Sequence, residues 1–255
     1  MPTNTLTIYC HCAYYKIVPE QTRRAVLDAI RDTGIEFEPV ADLCKMAAHR
    51  DPALKTWTKA DSIRIIACYP RAVRWLFHAG GALLPKEGVE FFNMRVDGPE
   101  KIISSLADPS PAKMPSRTLK DIRPQQPGDW IPWFPVIDYD RCKNCKQCFN
   151  FCLFGVYKLS AEDKVEVQNP AGCKTNCPAC ARLCPQSAII FPKYTGSPIN
   201  GDEVDESSPG GLSDEKIKVD VAQLLSGDVY EALHQRSKII ERLSKNANDK
   251  SPPRV

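Results

Sequence analysis

Apolar residues in the first hundred positions follow two rhythms. Short β-prone runs appear at Leu6-Thr7-Ile8-Tyr9-Cys10, Glu36 to Val40, Ile63-Arg64-Ile65-Ile66-Ala67-Cys68 and Val89 to Val96. Between them lie stretches of helical period. Pro19 to Asp32 carries Val26, Leu27 and Ile30 on one side and stops at Gly34. Asp51-Pro52 opens a short helix with Leu54 and Trp57. Pro70 leads into another, with Val73, Trp75, Leu76 and Phe77, closed by Gly80-Gly81. The third run is almost continuously apolar, as in a strand buried on both faces. Alternating strand and helix signals predict a small parallel α/β domain over residues 1–98, with right-handed crossovers.

The rhythm then breaks. Residues 99–134 hold Pro99, Pro109, Pro111, Pro115, Pro124, Pro127 and Pro132 and read as a linker, packed on a neighbour in places. Trp130, Trp133 and Phe134 at its end are expected out of solvent. A cysteine-rich domain covers 135–194, and 195–212 is a loop rich in Gly, Pro, Ser and acids. Residues 213–245 read as C-terminal helices. There Asp228 and Glu231 form a capping box ahead of Val229, Leu233, Ile240 and Leu243. A tail, 246–255, follows. The fold class expected for the whole chain is α+β.

Composition narrows the class. A chain of 255 residues suggests two compact domains, and 43% apolar with 25% charged residues is ordinary for a globular protein. A net charge of +3 without a basic run argues against a nucleic-acid binder. No apolar stretch approaches the ~18–20 residues of a membrane span. The first residues lack the basic and apolar regions of a signal peptide, so the expected location is cytoplasmic. In that setting twelve cysteines read as metal ligands rather than disulfides.

Eight of the twelve sit in two groups. Cys142, Cys145, Cys148 and Cys152 are spaced C-x2-C-x2-C-x3-C, and Cys173, Cys177, Cys180 and Cys184 are spaced C-x3-C-x2-C-x3-C, followed by Pro185. Four soft thiolates so close in sequence, given twice, are a ligand set for two cubane iron–sulfur clusters. Zinc is the competing occupant, but its sites usually draw on two separated C-x2-C knuckles. The flanks repeat as well. Val136-Ile137-Asp138 and Val165-Glu166-Val167 precede the two groups, and Phe154-Gly155-Val156-Tyr157 and Ser187-Ala188-Ile189-Ile190 follow them. This duplicated unit resembles the bacterial two-cluster ferredoxins. The resemblance implies that the fourth cysteine of each group serves the other cluster. Cys142, Cys145, Cys148 and Cys184 would then hold one [4Fe–4S] cluster, and Cys173, Cys177, Cys180 and Cys152 the second. Two departures from that family's pattern are Leu153 in place of proline after Cys152, and the extra residue between Cys173 and Cys177. Pro178 and Pro185 should stiffen the loops. Phe149, Phe151, Leu153, Leu183 and Ile189 are expected to keep water off the clusters.

Cys10, Cys12, Cys44 and Cys68 fall at or after the ends of the first three predicted strands. Strand C-termini of an open parallel sheet share one edge, where ligand sites form. The surrounding residues, Cys10-His11-Cys12, Leu43-Cys44 and Ala67-Cys68-Tyr69-Pro70-Arg71, resemble the N-terminal domain of the large flavin-binding component of heterodisulfide reductase. They are also similar to a small iron–sulfur component that links hydrogenase to that reductase. The resemblance implies a third cluster on these four cysteines, [4Fe–4S] favoured over [2Fe–2S]. Structural thiols and a different metal or reactive thiol pair are the competing readings. His11 should face the other side of the strand. His49, His78 and His234 read as surface or capping residues. Arg71 reads either as a donor to cluster sulfur or as a helix-start arginine. Lys143, Lys146, Lys174 and Arg182 read as a solvated charged face, and Trp57 and Trp75 as core.

The function these features favour is electron transfer to or from a partner oxidoreductase, flavin- or metal-containing, as one component of a complex or as a dedicated ferredoxin. Docking would run through the linker and C-terminal helices. A reductase with thiol or disulfide chemistry at the N-terminal cysteines is the first alternative, although no flavin fingerprint or acid–base pair is present. An iron–sulfur scaffold is the second.

Overall fold

The chain is described from a computed structural model, over residues 5–32, 34–106 and 128–205. Four strands, β1 (Thr5–Cys10), β2 (Glu38–Val40), β3 (Ser62–Ala67) and β4 (Val89–Asn93), form one sheet in the order β2-β1-β3-β4. All three pairings are parallel. Ile8 stands opposite Glu38 on one side and Ile65 on the other, and Ile65 opposite Phe91. Helix α1 (Glu20–Asp32) links β1 to β2. Helices α2 (Leu43–Ala48) and α3 (Pro52–Trp57) link β2 to β3, and α4 (Pro70–Ala79) links β3 to β4. Ile8, Ile63, Ile65 and Ile66 are fully enclosed, together with Val26, Val73 and Phe77 from the helices. Each such side chain contributes roughly 1.5–3 kcal/mol by leaving water. Close packing shows at the end of α4, where a Cβ on Gly80 would come within 2.4 Å of Leu54 Cδ1.

Two details differ from the sequence pattern. Helix α2 has no clear periodic signal. It starts because Asp42 caps it, accepting the Lys45 N–H at 3.2 Å. Strand β4 stops at Asn93 instead of Val96, because the Asn93 side chain accepts the Arg95 N–H at 3.0 Å and turns the chain.

Helix α5 (Pro99–Leu106) occupies the start of the stretch that its prolines marked as a linker. Proline fits the first turn of a helix, so Pro99 begins this one, and Ile102 and Leu106 are buried on its inner face. Trp133 and Phe134 are buried as expected. The rest of the proline-rich segment (107–127), the helices read over 213–245 and the tail lie outside the described residues.

The cysteine-rich lobe is a duplicated unit. Strand β5 (Val136–Ile137), helix α6 (Gln147–Phe151) and strand β6 (Tyr157–Leu159) are matched by β7 (Val165–Val167), α7 (Ala179–Leu183) and β8 (Ile189–Ile190). β5 pairs antiparallel with β8, and β6 with β7. The two short helices pack on each other. Trp133, Ile137, Val156, Tyr157, Val165 and Phe191 fill the interior.

The two lobes share a core: Phe134, Val136 and Ile190 pack with the sheet's own apolar residues. Arg71 clamps them. Its Nε donates to Asp138 Oδ2 at 2.6 Å, and its other nitrogens donate to the carbonyls of Ser187, Pro198 and Asp202. Arg71 and Asp138 are only 13% and 4% exposed. Gly201 (φ +93°) lies against Ala72, where a Cβ would meet the Ala72 Cβ at 2.4 Å. Among the described residues no helix is long and apolar enough to cross a membrane.

Candidate metal centres

The loop ahead of α6 is bent by left-handed residues between its cysteines, Asn144 (φ 53°) and Lys146 (φ 64°), and Asn176 (φ 63°) does the same just before Cys177. Asparagine tolerates this conformation better than most residues. The amides of Asn144 in this loop, Phe149 in α6 and Ala181 in α7 donate to the sulfurs of Cys142, Cys148 and Cys180. The Ala188 N–H reaches Cys184 Sγ at 3.4 Å.

The thiols influence one another across the two groups. Burial pushes Cys142 up, and Cys184 and Cys145 add to that. Burial raises Cys148 to about 12, with Cys184 the largest charged contributor. Cys173 reaches about 12 through burial, then Cys180, Cys177 and Cys152. Burial is also the main cause at Cys180, raised to about 11, where Cys152 and Cys177 contribute and the Tyr157 hydroxyl opposes them. Thus Cys184 acts on Cys142 and Cys148, and Cys152 on Cys173 and Cys180, while Cys180 also acts on Cys148.

Two tyrosines border these sets. Tyr157 donates to Cys180 Sγ at 3.1 Å inside the core. Tyr139, raised to about 12 chiefly by burial, feels Cys142 and Cys148 and packs on His78, ring centroids 4.9 Å apart. His78 also meets Trp75, so it belongs to the contact between the lobes and not to the open surface. The expected apolar shield is only partly present. Phe149 and Leu183 are half-buried and Ile189 is buried, but Phe151 is 51% and Leu153 87% exposed. Both face water because α6 ends at Phe151 and the chain leaves the core before Val156.

Cys10 ends β1, Cys12 lies two residues beyond in a left-handed conformation (φ 52°), Cys44 sits in the first turn of α2, and Cys68 follows β3. All four are at the C-terminal edge of the sheet. Strand alternation does not place Cys12, which is past the strand; the turn does. Burial drives Cys10 and Cys44 well above the usual thiol range and Cys68 to about 12; Cys12 adds to all three, and Cys68 adds to Cys10 and Cys44. Cys12 is pushed up by burial too. The Leu43 N–H donates to Cys10 Sγ at 3.4 Å. His11 turns away to Tyr9, with Nδ1 3.1 Å from the tyrosine oxygen. Arg71 serves the clamp between lobes, not a sulfur.

Sequence reading missed the charged groups at this edge. Lys193, from the turn after β8, places its Nζ 2.5 Å from Asp42 Oδ2, and the two side chains are 2% and 1% exposed. Burial alone would lower the lysine, but Asp42, Cys44 and Cys12 hold it well above its usual value. An isolated lysine after a strand carries no signal of a partner 151 residues away. The thiol edge also touches the second cysteine group, since Tyr15, three residues past Cys12, donates to Asn176 Oδ1 at 2.8 Å, next to Cys177.

The donor sets fit iron–sulfur clusters chemically. Buried thiols resist ionisation unless a positive group sits among them, and iron supplies that. The buried Trp133 Nε1–H has no acceptor among the described protein atoms and lies in the cluster of residues containing Cys148 and Cys180. Among the described residues no group of three or more His, Cys, Asp or Glu side chains is arranged to hold one metal ion.

No family model matches the chain. It is 51% identical over 63 residues to an uncharacterised ferredoxin of Methanocaldococcus jannaschii, covering 24% of this chain and 42% of that one. It is 32% identical over 88 residues to Ferredoxin-3 of Nostoc, covering 28% of this chain and 84% of the relative. It is 35% identical over 65 residues to subunit delta of the NADH-dependent phenylglyoxylate dehydrogenase of Aromatoleum evansii, covering 26% and 67%. The chain thus spans less than half of the first relative's length. Together with the cysteine-bearing repeat, these likenesses define an iron–sulfur domain of ferredoxin type. The chain belongs to the ferredoxin family.

Proposed function

We propose that the cysteine-rich lobe holds two [4Fe–4S] clusters, one on Cys142, Cys145, Cys148 and Cys184 and one on Cys173, Cys177, Cys180 and Cys152. Cys10, Cys12, Cys44 and Cys68 hold a third, of [4Fe–4S] type. The chain is a component or dedicated donor of an oxidoreductase, exchanging electrons with a partner protein. The observation that carries the ligand assignment is the crossing of thiol neighbours between the two groups. For the third set it is the meeting of four thiols, three buried and one half-buried, from three separate strand ends, at one edge. The likeness to a dehydrogenase subunit supports the oxidoreductase partner.

When bound, the clusters supply one-electron storage. The protein's own residues do the rest: loop amides and Tyr157 donate to sulfur, and the enclosing core limits water. A reductase working on thiols at the N-terminal edge would need an accessible sulfur; Cys10, Cys12 and Cys44 are buried and Cys68 is half-buried.

Iron analysis of anaerobically purified protein tests this. About twelve irons are expected, four per cubane. Cys44→Ser should leave about eight, with the EPR signals of the other two clusters intact. An unchanged iron count in that variant would remove the third site from the proposal.

A further inference from the structure

Lys193 belongs to the ferredoxin lobe, yet its ammonium group is enclosed beside the thiols of the other lobe. Its position is built from both sides. Arg95 donates to the Pro192 carbonyl at 3.2 Å while its guanidinium stacks over Tyr69, the neighbour of Cys68. The turn that carries Lys193 is closed by Tyr194 N–H to the Phe191 carbonyl, 2.8 Å. Asp42 receives the ammonium on Oδ2, while its Oδ1 stays on the Lys45 amide at the start of α2.

Arg95 acts beside the pair, and at Cys68 it outweighs Lys193. At Cys12, Cys44 and Cys68 the influence of Lys193 exceeds that of Asp42. At Cys10 Asp42 acts and Lys193 is not among the main influences. Asp42 caps the helix whose first turn carries Cys44, and the Leu43 N–H next to it reaches Cys10 Sγ, so the ammonium held on Asp42 lies at the thiol edge. No lysine or arginine is among the main influences at Cys142, Cys148, Cys173 or Cys180.

We propose that Lys193 sets the reduction potential of the Cys10–Cys12–Cys44–Cys68 site, which is electrostatically complete only when the ferredoxin lobe is docked. The proposal rests on the third cluster proposed above. One-electron reduction adds a single negative charge to the site and makes or breaks no bond. The electron comes from a low-potential one-electron donor. A fixed positive charge in a medium of low dielectric favours that added charge, so Lys193 raises the potential.

The test is a mediated redox titration of the whole, iron-replete protein with dithionite, followed by EPR. Lys193→Met should lower the midpoint of the third cluster by at least a tenfold change in the ratio of reduced to oxidised site, about 59 mV for one electron. The other two midpoints should stay in place, and Lys193→Arg should restore the third. Lys193→Met leaves Asp42 buried without its counter-charge and can fail to fold. The double variant Lys193→Met with Asp42→Asn removes both charges, keeps a capping residue, and should still show the drop. A full iron complement with an unchanged third midpoint in the double variant overturns the proposal. So does selective loss of third-site iron in that variant, which would make Lys193 a structural support. Only eight irons in the unaltered protein would instead sink the third cluster itself.

Discussion

The two thiol-bearing regions solve one problem, holding several sulfurs in a small volume, by opposite routes. In the ferredoxin lobe the chain brings the sulfurs together locally. Left-handed asparagine and lysine residues coil each loop, and the two halves then exchange neighbours across a two-fold repeat. Solvent is near: Cys145 is exposed and Leu153 stands out in water. At the N-terminal edge the sulfurs arrive from strand ends up to 58 residues apart (Cys10 to Cys68). Three of the four cysteines are buried and Cys68 is half-buried, and charge is supplied by side chains that include the buried Lys193. A local loop can tolerate water because its own amides hold the sulfurs. A site assembled through tertiary structure depends on everything that closes over it.

The largest effects should come from removing a sulfur. Cys184→Ser should cost about four of twelve irons. The EPR signal lost should be the one that Cys145→Ser also abolishes, and not the one abolished by Cys177→Ser. Loss of the Cys177-dependent signal would refute the crossed assignment and make the two groups independent.

Arg71→Met should come next. It strands the 4%-exposed Asp138 and three carbonyls at the junction of the lobes. Breaking a buried pair by removing one partner typically costs about 3–5 kcal/mol, to be read as a fall in the denaturant midpoint. Both lobes should lose stability together. If only one does, the shared core is weaker than its packing suggests.

Alkaline pH separates the protein with clusters from the protein without them. In the cluster-free form burial raises the Cys68 thiol to about 12, against an ordinary value near 9.0. The folded state then keeps a proton that the unfolded chain has released. Its stabilising contribution is full below the ordinary value and is lost as pH rises through the folded one. Thermal unfolding of the cluster-free protein should therefore shift downward between about pH 9 and about pH 12. Cys10 and Cys44, driven up further, extend the effect at the N-terminal edge. Protein with its clusters in place should show no such loss over that window, because its ligand sulfurs are already ionised.

The smallest expected effect is that of Tyr157→Phe. One hydrogen bond to Cys180 disappears from a buried site, worth about 0.5–1.5 kcal/mol in stability. The cluster served by Cys180 should become slightly harder to reduce, since hydrogen bonds to sulfur are one control on potential. The midpoint at the N-terminal edge should not move.

What can be read in advance follows the same division. The eight-cysteine spacing, its repeat and the alternation of strands and helices are local patterns, and the sequence displays them directly. The edge location of Cys10, Cys44 and Cys68 follows from parallel-sheet geometry. Helix α2 is invisible in the sequence, because six residues without a period are held as a helix by Asp42 and by packing. Helix α5 is hidden as long as Pro99 is read as a breaker when it is an initiator. Phe151 and Leu153 look like a cluster's shield because they are apolar and close to Cys152. Adjacency in sequence does not decide which way a chain leaves a helix end. Lys193 and Arg71 escape because each partners a residue far away, and a single charge carries no periodicity.

The pairing of Asp42 with Lys193 also sets an order in time. A ribosome adding about 5–20 residues per second takes about 8–30 s to make the stretch between them, 151 positions along the chain. Throughout that interval the aspartate has no lysine to meet, and the sulfur-bearing edge of the first lobe has no lid. Until Lys193 is made, Cys10, Cys12, Cys44 and Cys68 lack the ammonium group that lies at their edge in the finished molecule. Iron and sulfide delivered then would be sealed in by the arrival of the second lobe.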